Sequence, residues 1–127
     1  MKFLGTGSAL PKKVVSNDDL AQVMDTSDEW IRSRTGIGMR HIAVEETTTS
    51  MAVEAAEKAL ADAKISGCEI DLIIAGTISP DYIFPSLACE IQAAIGAKSA
   101  TAFDLSAGCS GFLFALANSK VCSALLE

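Results

Sequence analysis

The chain has 127 residues, a formal net charge of −6 and an apolar fraction of 50%. This length suffices for one domain or for part of one. Ten basic residues against sixteen acidic ones, dispersed without runs, argue against a nucleic acid or an anionic membrane as partner. No membrane span is predicted, because the longest uncharged stretch, Leu105 to Ser119, is shorter than the ~20 apolar residues that a span needs. No secretory leader is predicted, because the first residues, Met1–Ser8, contain no apolar run of ~7–15 residues. We therefore expect a folded, cytoplasmic, globular protein.

The first part of the chain, residues 1–47, is predicted to be the less regular one. Residues Phe3–Gly7 have the pattern of a short strand. Asn17 is expected to cap a helix whose first turn carries carboxylates. The run Thr26–Glu29 repeats that signal, and Gly36 should end the second helix.

The second part, residues 48–127, alternates helical and strand-like patterns. The predicted elements are a helix over Met51–Ile65 that ends at Gly67, a strand over Leu72–Gly76, a helix from Pro85 to Gly96, a strand over Thr101–Ser106 and a helix from about Cys109 onward. Together with the strand near the start, this order predicts an α/β fold with a mostly parallel sheet and right-handed crossovers.

The last predicted helix is apolar on nearly every side, a pattern typical of a helix in the middle of a large core. Three strands and three helices cannot cover such a helix completely. We therefore expect an exposed apolar patch on it, of the kind that marks an interface. This patch implies that a partner chain, or a further stretch of polypeptide, normally covers the helix.

The cysteines point to one position of interest. Four cysteines without a CxxC pair, and a single histidine (His41), exclude a zinc site of the usual spacing. Cys68, Cys89 and Cys122 are expected to be small buried residues. Cys109 differs because it lies where a predicted strand turns into the apolar helix.

Two interpretations of Cys109 remain open on local grounds. Amide groups at a helix N-terminus favour the thiolate form of a cysteine, and small neighbours leave room for a substrate. The same turn could also direct an N–H group at an oxyanion. The alternative is a tightly packed strand–helix junction that happens to contain a cysteine.

Six stretches of the sequence form a recognisable set of motifs: Gly5–Pro11, Asp25–Ile31, Arg34–Ile37, Arg40–Ile42, Phe84–Ser86 with Gln92, and Asp104–Phe112. In order and spacing, these motifs resemble the beta-ketoacyl-acyl-carrier-protein synthase III family, condensing enzymes of the thiolase superfamily. The similarity extends over nearly all 127 residues. The resemblance implies the N-terminal, incomplete half of a thiolase-like α/β fold.

The resemblance also implies roles for individual residues. Cys109 would be the nucleophile. Trp30 and Arg34, one helical turn apart, would hold the adenine end of coenzyme A, with Thr26 nearby. Phe84 would reach across a homodimer to line the acyl pocket of the neighbour. Without the family, Trp30 and Arg34 would be interpreted as an ordinary exposed helix, and Phe84 as a core aromatic residue.

The implied reaction starts fatty-acid biosynthesis. An acyl-CoA primer would acylate Cys109, and malonyl-acyl-carrier protein would then condense with the acyl group after losing carbon dioxide. Acyl-CoA is a substrate in this scheme, so no separate cofactor and no metal are expected. Residues 1–47 would contribute the coenzyme A site, and residues 48–127 the βαβα core.

The family also uses a histidine and an asparagine, and these lie beyond residue 127. His41, Asn17 and Asn118 match neither of them. Loss of such groups typically costs ~10²–10⁴-fold each, so we expect no full condensation from this chain alone. Three hypotheses follow: an N-terminal portion of a synthase III, a non-catalytic acyl-CoA-binding or interaction module, or a half-enzyme that needs a C-terminal partner chain. Primer length is not specified by the sequence.

Overall fold

A computed structural model describes residues 2–126, which divide into two compact units. The smaller unit comprises Leu10–Glu46; the larger one comprises the residues up to Ala9 and those from Thr47 onward. The elements in chain order are β1 (Lys13–Ser16), α1 (Asn17–Ala21), α2 (Asp28–Thr35), β2 (Met39–Ile42), α3 (Thr48–Ala63), β3 (Leu72–Gly76), α4 (Leu87–Ala94), β4 (Thr101–Leu105) and α5 (Gly111–Leu126). Two short 3₁₀ turns, Gly67–Glu69 and Gly108–Ser110, precede β3 and α5.

The smaller unit is built on an antiparallel ribbon in which β1 pairs with β2. The predicted cap of α1 was wrong by one residue. The hydroxyl of Ser16 accepts a hydrogen bond from the backbone amide of Asp19. In return, the carboxylate of Asp19 accepts one from the backbone amide of Ser16, so Ser16 is the N-cap. Asn17 is instead the first helical residue, and its side chain is buried.

The helix α2 confirms the predicted start and stop signals. The Ser27 hydroxyl accepts the amide of Trp30 at 3.1 Å. At the other end Gly36 adopts a φ of 73°, the left-handed conformation that glycine tolerates best, and its amide bonds to the carbonyl of Arg32. The two caps therefore define where the helix begins and ends.

The larger unit confirms the two predicted strands of the second part. β3 and β4 pair in parallel, Leu72 opposite Thr101, and α4 connects them. α4 packs on this sheet and α3 packs on α4, and the buried core consists of Ala75, Leu87, Ala88 and Ile91. The prediction that Gly67 ends α3 was wrong: the helix ends at Ala63 with Lys64 in the left-handed conformation.

Residues Phe3–Gly7 do not form the predicted strand in the part of the chain that the structure describes. The segment lies along α3 instead. A Cβ at Gly5 would lie within 2.6 Å of backbone atoms of Ala59 and Ala63, and one at Gly7 would overlap the carbonyl of Ala55. The amide of Thr6 donates to the carboxylate of Asp62 on α3 at 2.9 Å. The two glycines thus allow backbone-to-backbone packing on a helix, which alternation alone could not distinguish from a strand.

The helix α5 bears the apolar patch that the sequence predicted. Phe112, Leu113 and Phe114 are 67%, 68% and 52% exposed, and Val121 is 60% exposed. The expected burial of this helix in the middle of a core is therefore not found among the described residues, where the larger unit covers only part of it. None of the described helices combines the length and apolar character needed to cross a membrane.

Candidate active site

Cys109 lies at the turn that connects β4 to α5. It occupies the middle of the 3₁₀ turn Gly108–Ser110, closed by a 3.1 Å hydrogen bond from the amide of Ser110 to the carbonyl of Ala107. Gly108 has a φ of 51°, a conformation that a residue with a side chain rarely adopts. The turn leaves Cys109 exposed, two residues before α5 begins at Gly111. The sulfur is therefore accessible to a substrate.

A close contact between two glycines places this turn at the carboxyl end of the sheet. A Cβ at Gly76, the last residue of β3, would lie 3.3 Å from the carbonyl carbon of Gly111. The start of α5 therefore packs directly on the end of β3, with no side chain between them. Since β4 also ends here, Cys109 lies at the carboxyl end of both parallel strands, where ligands of α/β proteins commonly bind.

Asp104, near the carboxyl end of β4, has a structural role that its sequence context did not reveal. Its two carboxylate oxygens accept the amides of Leu87 and Ala88 at 2.9 and 2.8 Å. The carboxylate thus satisfies two free amides of the first turn of α4 and fixes that helix to β4. An acidic residue between Phe103 and Leu105, inside an apolar strand, was the signal in the sequence.

Phe84 is exposed at the tip of the loop between β3 and α4. Ile83 and Phe84 are 98% and 88% exposed, and the peptide bond from Phe84 to Pro85 is cis. The interpretation of Phe84 as a core aromatic residue is therefore wrong for this chain. An apolar pair held out from the surface is typical of a contact with another molecule.

A second carboxylate holds the same loop. The oxygens of Asp81 accept the amides of Thr48 and Thr49 at 3.1 and 2.7 Å, at the start of α3. The Thr49 amide, followed by the hydroxyl of Thr49, lowers the pKa of Asp81 from 3.8 to about 2. The loop that carries Phe84 is thus tied to α3 by a group that stays ionised in weak acid.

Trp30 and Arg34 form a small exposed site on α2. The guanidinium of Arg34 stacks over the Trp30 indole, which is 53% exposed. They line a shallow cavity of about 260 Å³ together with Ser27, Glu29 and Ser33. Thr26 is half-buried just before the α2 cap and is not among these lining residues. The helix therefore brings Trp30 and Arg34 together, as their spacing predicted.

The chemistry of this cavity suits a purine with a nearby phosphate. A flat indole offers a stacking surface, and a guanidinium offers a fork of N–H donors that matches phosphate oxygens. Glu29 adds a negative charge to the rim, so an anionic group would be favoured on the side of Arg34.

The remaining cysteines and the histidine are placed as follows. Cys68 is exposed, so its predicted burial was wrong: it lies in the 3₁₀ turn after α3, with its sulfur 3.2 Å from the Ser66 hydroxyl. Cys89 and Cys122 are partly buried. His41 is exposed on β2, where Nδ1 contacts the carbonyl of Pro11. Within residues 2–126 no group of three or more His, Cys, Asp or Glu could hold a metal ion.

Curated proteins similar to this chain include several beta-ketoacyl-[acyl-carrier-protein] synthases III. A Xylella fastidiosa beta-ketoacyl-[acyl-carrier-protein] synthase III is 56% identical over 116 residues, which are 91% of this chain and 36% of that protein. A Streptococcus suis protein of the same name is 60% identical over 111 residues, 87% of this chain and 34% of that protein. The chain therefore spans about a third of the length of these relatives. No protein-family model matches it.

Solved structures agree with the sequence relatives. The crystal structure of 3-oxoacyl-[acyl-carrier-protein] synthase III from Aquifex aeolicus matches with a TM-score of 0.90 at 54% identity, over 97% of this chain and 41% of that one. The synthase III from Thermus thermophilus matches with a TM-score of 0.90 at 39% identity. Sequence and structure together show that the chain has part of a thiolase-like α/β fold and matches the N-terminal portion of beta-ketoacyl-[acyl-carrier-protein] synthase III.

Proposed function

We propose that this chain supplies the nucleophile and the coenzyme A contact of a beta-ketoacyl-[acyl-carrier-protein] synthase III. The observation that carries the proposal is the exposed position of Cys109 on a tight turn at the carboxyl ends of β3 and β4. A sulfur in this position can be approached by a thioester, and the nearby amides at the start of α5 can stabilise negative charge on oxygen.

The first step is the transfer of an acyl group to the enzyme. The thiolate of Cys109 attacks the thioester carbonyl of an acyl-CoA such as acetyl-CoA. The new carbon–sulfur bond forms to Cys109 as the bond to the coenzyme A sulfur breaks, and coenzyme A leaves as a thiol once it takes up a proton. This step requires only the nucleophile, a bound thioester and groups that stabilise the tetrahedral oxyanion.

The second step forms the carbon–carbon bond. Malonyl-acyl-carrier protein loses carbon dioxide, and the resulting carbanion attacks the acyl carbonyl on Cys109. The bond to the cysteine sulfur breaks, which releases a 3-oxoacyl product on the carrier protein. By family resemblance, a histidine and an asparagine that stabilise the enolate come from polypeptide beyond this chain, so the chain alone contributes acylation chemistry at most.

The coenzyme A contact is assigned to α2. The adenine ring is proposed to stack on the exposed part of Trp30, with Arg34 binding a phosphate, and Thr26 lies just upstream of this face. The exposed tip at Phe84 is proposed to contact a second subunit and to border its acyl pocket. By the same family resemblance, the assembled enzyme is a cytoplasmic homodimer that initiates fatty-acid biosynthesis.

Acylation of Cys109 tests this proposal directly. A full-length chimera would be made in which this chain replaces the matching portion of the Aquifex aeolicus synthase III. After incubation with acetyl-CoA, peptide mass spectrometry should find one acetyl group on Cys109, and malonyl-acyl-carrier protein should remove it with formation of a 3-oxoacyl product.

Cys68 provides the internal control, because it is the other exposed cysteine among the described residues. Acetylation of Cys68 to the same level as Cys109 would show nonspecific acylation. An unchanged total acetylation of the Cys109→Ala variant would show the same. Either result would refute the assignment of Cys109 as the nucleophile. Binding of coenzyme A without acylation in the chimera would favour the non-catalytic acyl-CoA-binding module instead.

A further inference from the structure

One buried polar side chain stands out in the described residues. Asn17 is 1% exposed, and it is the only buried polar residue found among them. Its Nδ2 donates hydrogen bonds to Oδ1 of Asp28 at 2.8 Å and to the carbonyl of Ile37 at 2.7 Å. Its Oδ1 accepts a hydrogen bond from Nη2 of Arg40. Both donors and the acceptor of the carboxamide are thus used.

These bonds connect four parts of the smaller unit at one point. Asn17 begins α1, Asp28 lies in the first turn of α2, Ile37 follows the end of α2, and Arg40 is on β2. The backbone amide of Asn17 adds a fourth hydrogen bond, to the carbonyl of Gly38 at 3.2 Å. The two ends of α2 are therefore held to one buried amide.

Asparagine is the side chain that this position requires. Aspartate would keep an acceptor for Arg40 but could not donate to Asp28, and the two carboxylates would repel each other. Leucine has a similar volume but would leave three polar groups without their partner. A buried polar group without a hydrogen-bond partner destabilises the folded state, so such substitutions should loosen α2 and β2, the elements bonded to Asn17.

We propose that Asn17 is a positioning residue for the coenzyme A contact: it fixes both ends of α2 and so holds the face that presents Trp30 and Arg34. The inference rests on the proposed function of that face. Asn17 itself does not line the cavity and touches no substrate.

The state of Asp28 supports this arrangement. The hydrogen bond from Asn17 is the largest influence lowering the pKa of Asp28, and Arg32 lowers it further, while desolvation opposes both. Arg32 binds the same carboxylate through Nε at 2.8 Å. Asp28 thus stays ionised between the buried amide and an exposed cation, which fixes the first turn of α2.

The test uses the single tryptophan of the chain as its probe. Coenzyme A would be titrated against the full chain while Trp30 fluorescence is recorded. For Asn17→Asp we expect weaker binding, with a dissociation constant about tenfold larger, because one buried hydrogen bond is lost. The matched control, Asn118→Asp, changes an exposed asparagine on α5 in the same way and should stay within about twofold of the unmodified chain.

Amide hydrogen exchange of α2 without ligand gives a second, independent readout. Asn17→Asp should exchange faster at residues 30–35 while the protection of α3 stays unchanged, since only the smaller unit is loosened. Where Asn17→Asp fails to fold, Asp28→Ala replaces it. Asp28→Ala removes an acceptor of Asn17 and should speed exchange in α2. Arg32→Ala keeps that bond and removes only an exposed ion pair, so it should speed exchange much less.

The outcomes separate the two claims. Unchanged coenzyme A affinity together with unchanged exchange in α2 would overturn the role of Asn17. If the unmodified chain does not bind coenzyme A, the proposed contact at Trp30 fails, and exchange in α2 still decides whether Asn17 fixes the helix. In the chimera, Asn17→Asp should raise KM for acetyl-CoA about tenfold while kcat stays within about twofold, a split that general unfolding would not produce.

Discussion

The guanidinium carbon of Arg34 lies 4.3 Å from the centre of the Trp30 ring, so the cation covers one side of the indole. Such a contact orients both side chains before any ligand binds, at little cost, because they are one helical turn apart. About half of the Trp30 surface remains exposed. The pair is therefore a partly assembled binding surface, with a stacking plane and a cation already in register.

Arg34→Ala should weaken coenzyme A binding about tenfold, since one charge-assisted contact and the ordering of Trp30 are both lost. The affinity of Arg34→Lys for coenzyme A should lie between those of the unmodified chain and Arg34→Ala, because lysine keeps the charge but lacks the planar guanidinium. The quench of Trp30 fluorescence on titration measures both. The control is Arg32→Ala on the same helix; an equal loss there would mean that the effect is general electrostatics.

Asp104 should matter more for stability than the hydroxyl cap of the same helix. Asp104→Ala removes two hydrogen bonds to a charged group and should lower the free energy of unfolding by about 2–3 kcal/mol. Ser86→Ala removes one bond, from the Cys89 amide to the Ser86 hydroxyl, and should cost about 1 kcal/mol. Urea unfolding followed by circular dichroism compares them, and equal losses would contradict the anchor role of Asp104.

The ionisation of Asp81 predicts acid sensitivity. Its pKa is lowered from 3.8 to about 2 in the folded chain, so the folded state favours the charged form. The stabilisation from Asp81 is therefore complete above about pH 4 and is lost as the pH falls towards 2.

Asp81→Asn should consequently lower stability at pH 5 and leave it almost unchanged at pH 2, which makes its unfolding midpoint less dependent on pH in this range. Urea midpoints at both pH values measure the effect. Glu57→Gln, an exposed carboxylate on α3, serves as control. A parallel shift of Asp81→Asn at both pH values would refute the assignment.

The apolar patch on α5 should make this chain associate in solution. Phe112, Leu113 and Phe114 are all more than half exposed, an arrangement that water disfavours. We expect size-exclusion chromatography to show species larger than a monomer that grow with concentration. Leu113→Lys should shift the profile towards monomer, while Ala61→Lys, at an exposed position on α3, controls for added charge. A monomer at all concentrations would contradict the patch argument.

Sequence patterns were sufficient where local physics decides the structure. The start of α2 within Thr26–Glu29, its end at Gly36, the strand Leu72–Gly76 and the turn at Cys109 each depend on a few neighbouring residues, and the structure places them as predicted. The expected burial of that strand on both faces was wrong, because only Ala75 is buried. The apolar character of α5 also predicted its exposed patch correctly, because no arrangement of so few elements could cover it.

The errors arose where a distant contact decides the structure. Gly5 and Gly7 fit a strand pattern, but in the structure they allow close packing against the backbone of α3, more than forty positions away. Asn17 looked like a helix cap because asparagine often is one, yet its partners are eleven to twenty-three residues further along the chain. Asp81 and Asp104 likewise bind amides of helices that the sequence does not place beside them.

The parallel pair of β3 and β4 has a practical consequence for producing this chain. Within residues 2–126 each strand pairs only with the other, so each has one edge whose amide and carbonyl groups lack a neighbouring strand. Open edges recruit strands from other copies, and β3 is strongly apolar. Overexpression should therefore deposit much of the material in inclusion bodies, and dilute refolding should give a better yield than concentrated refolding.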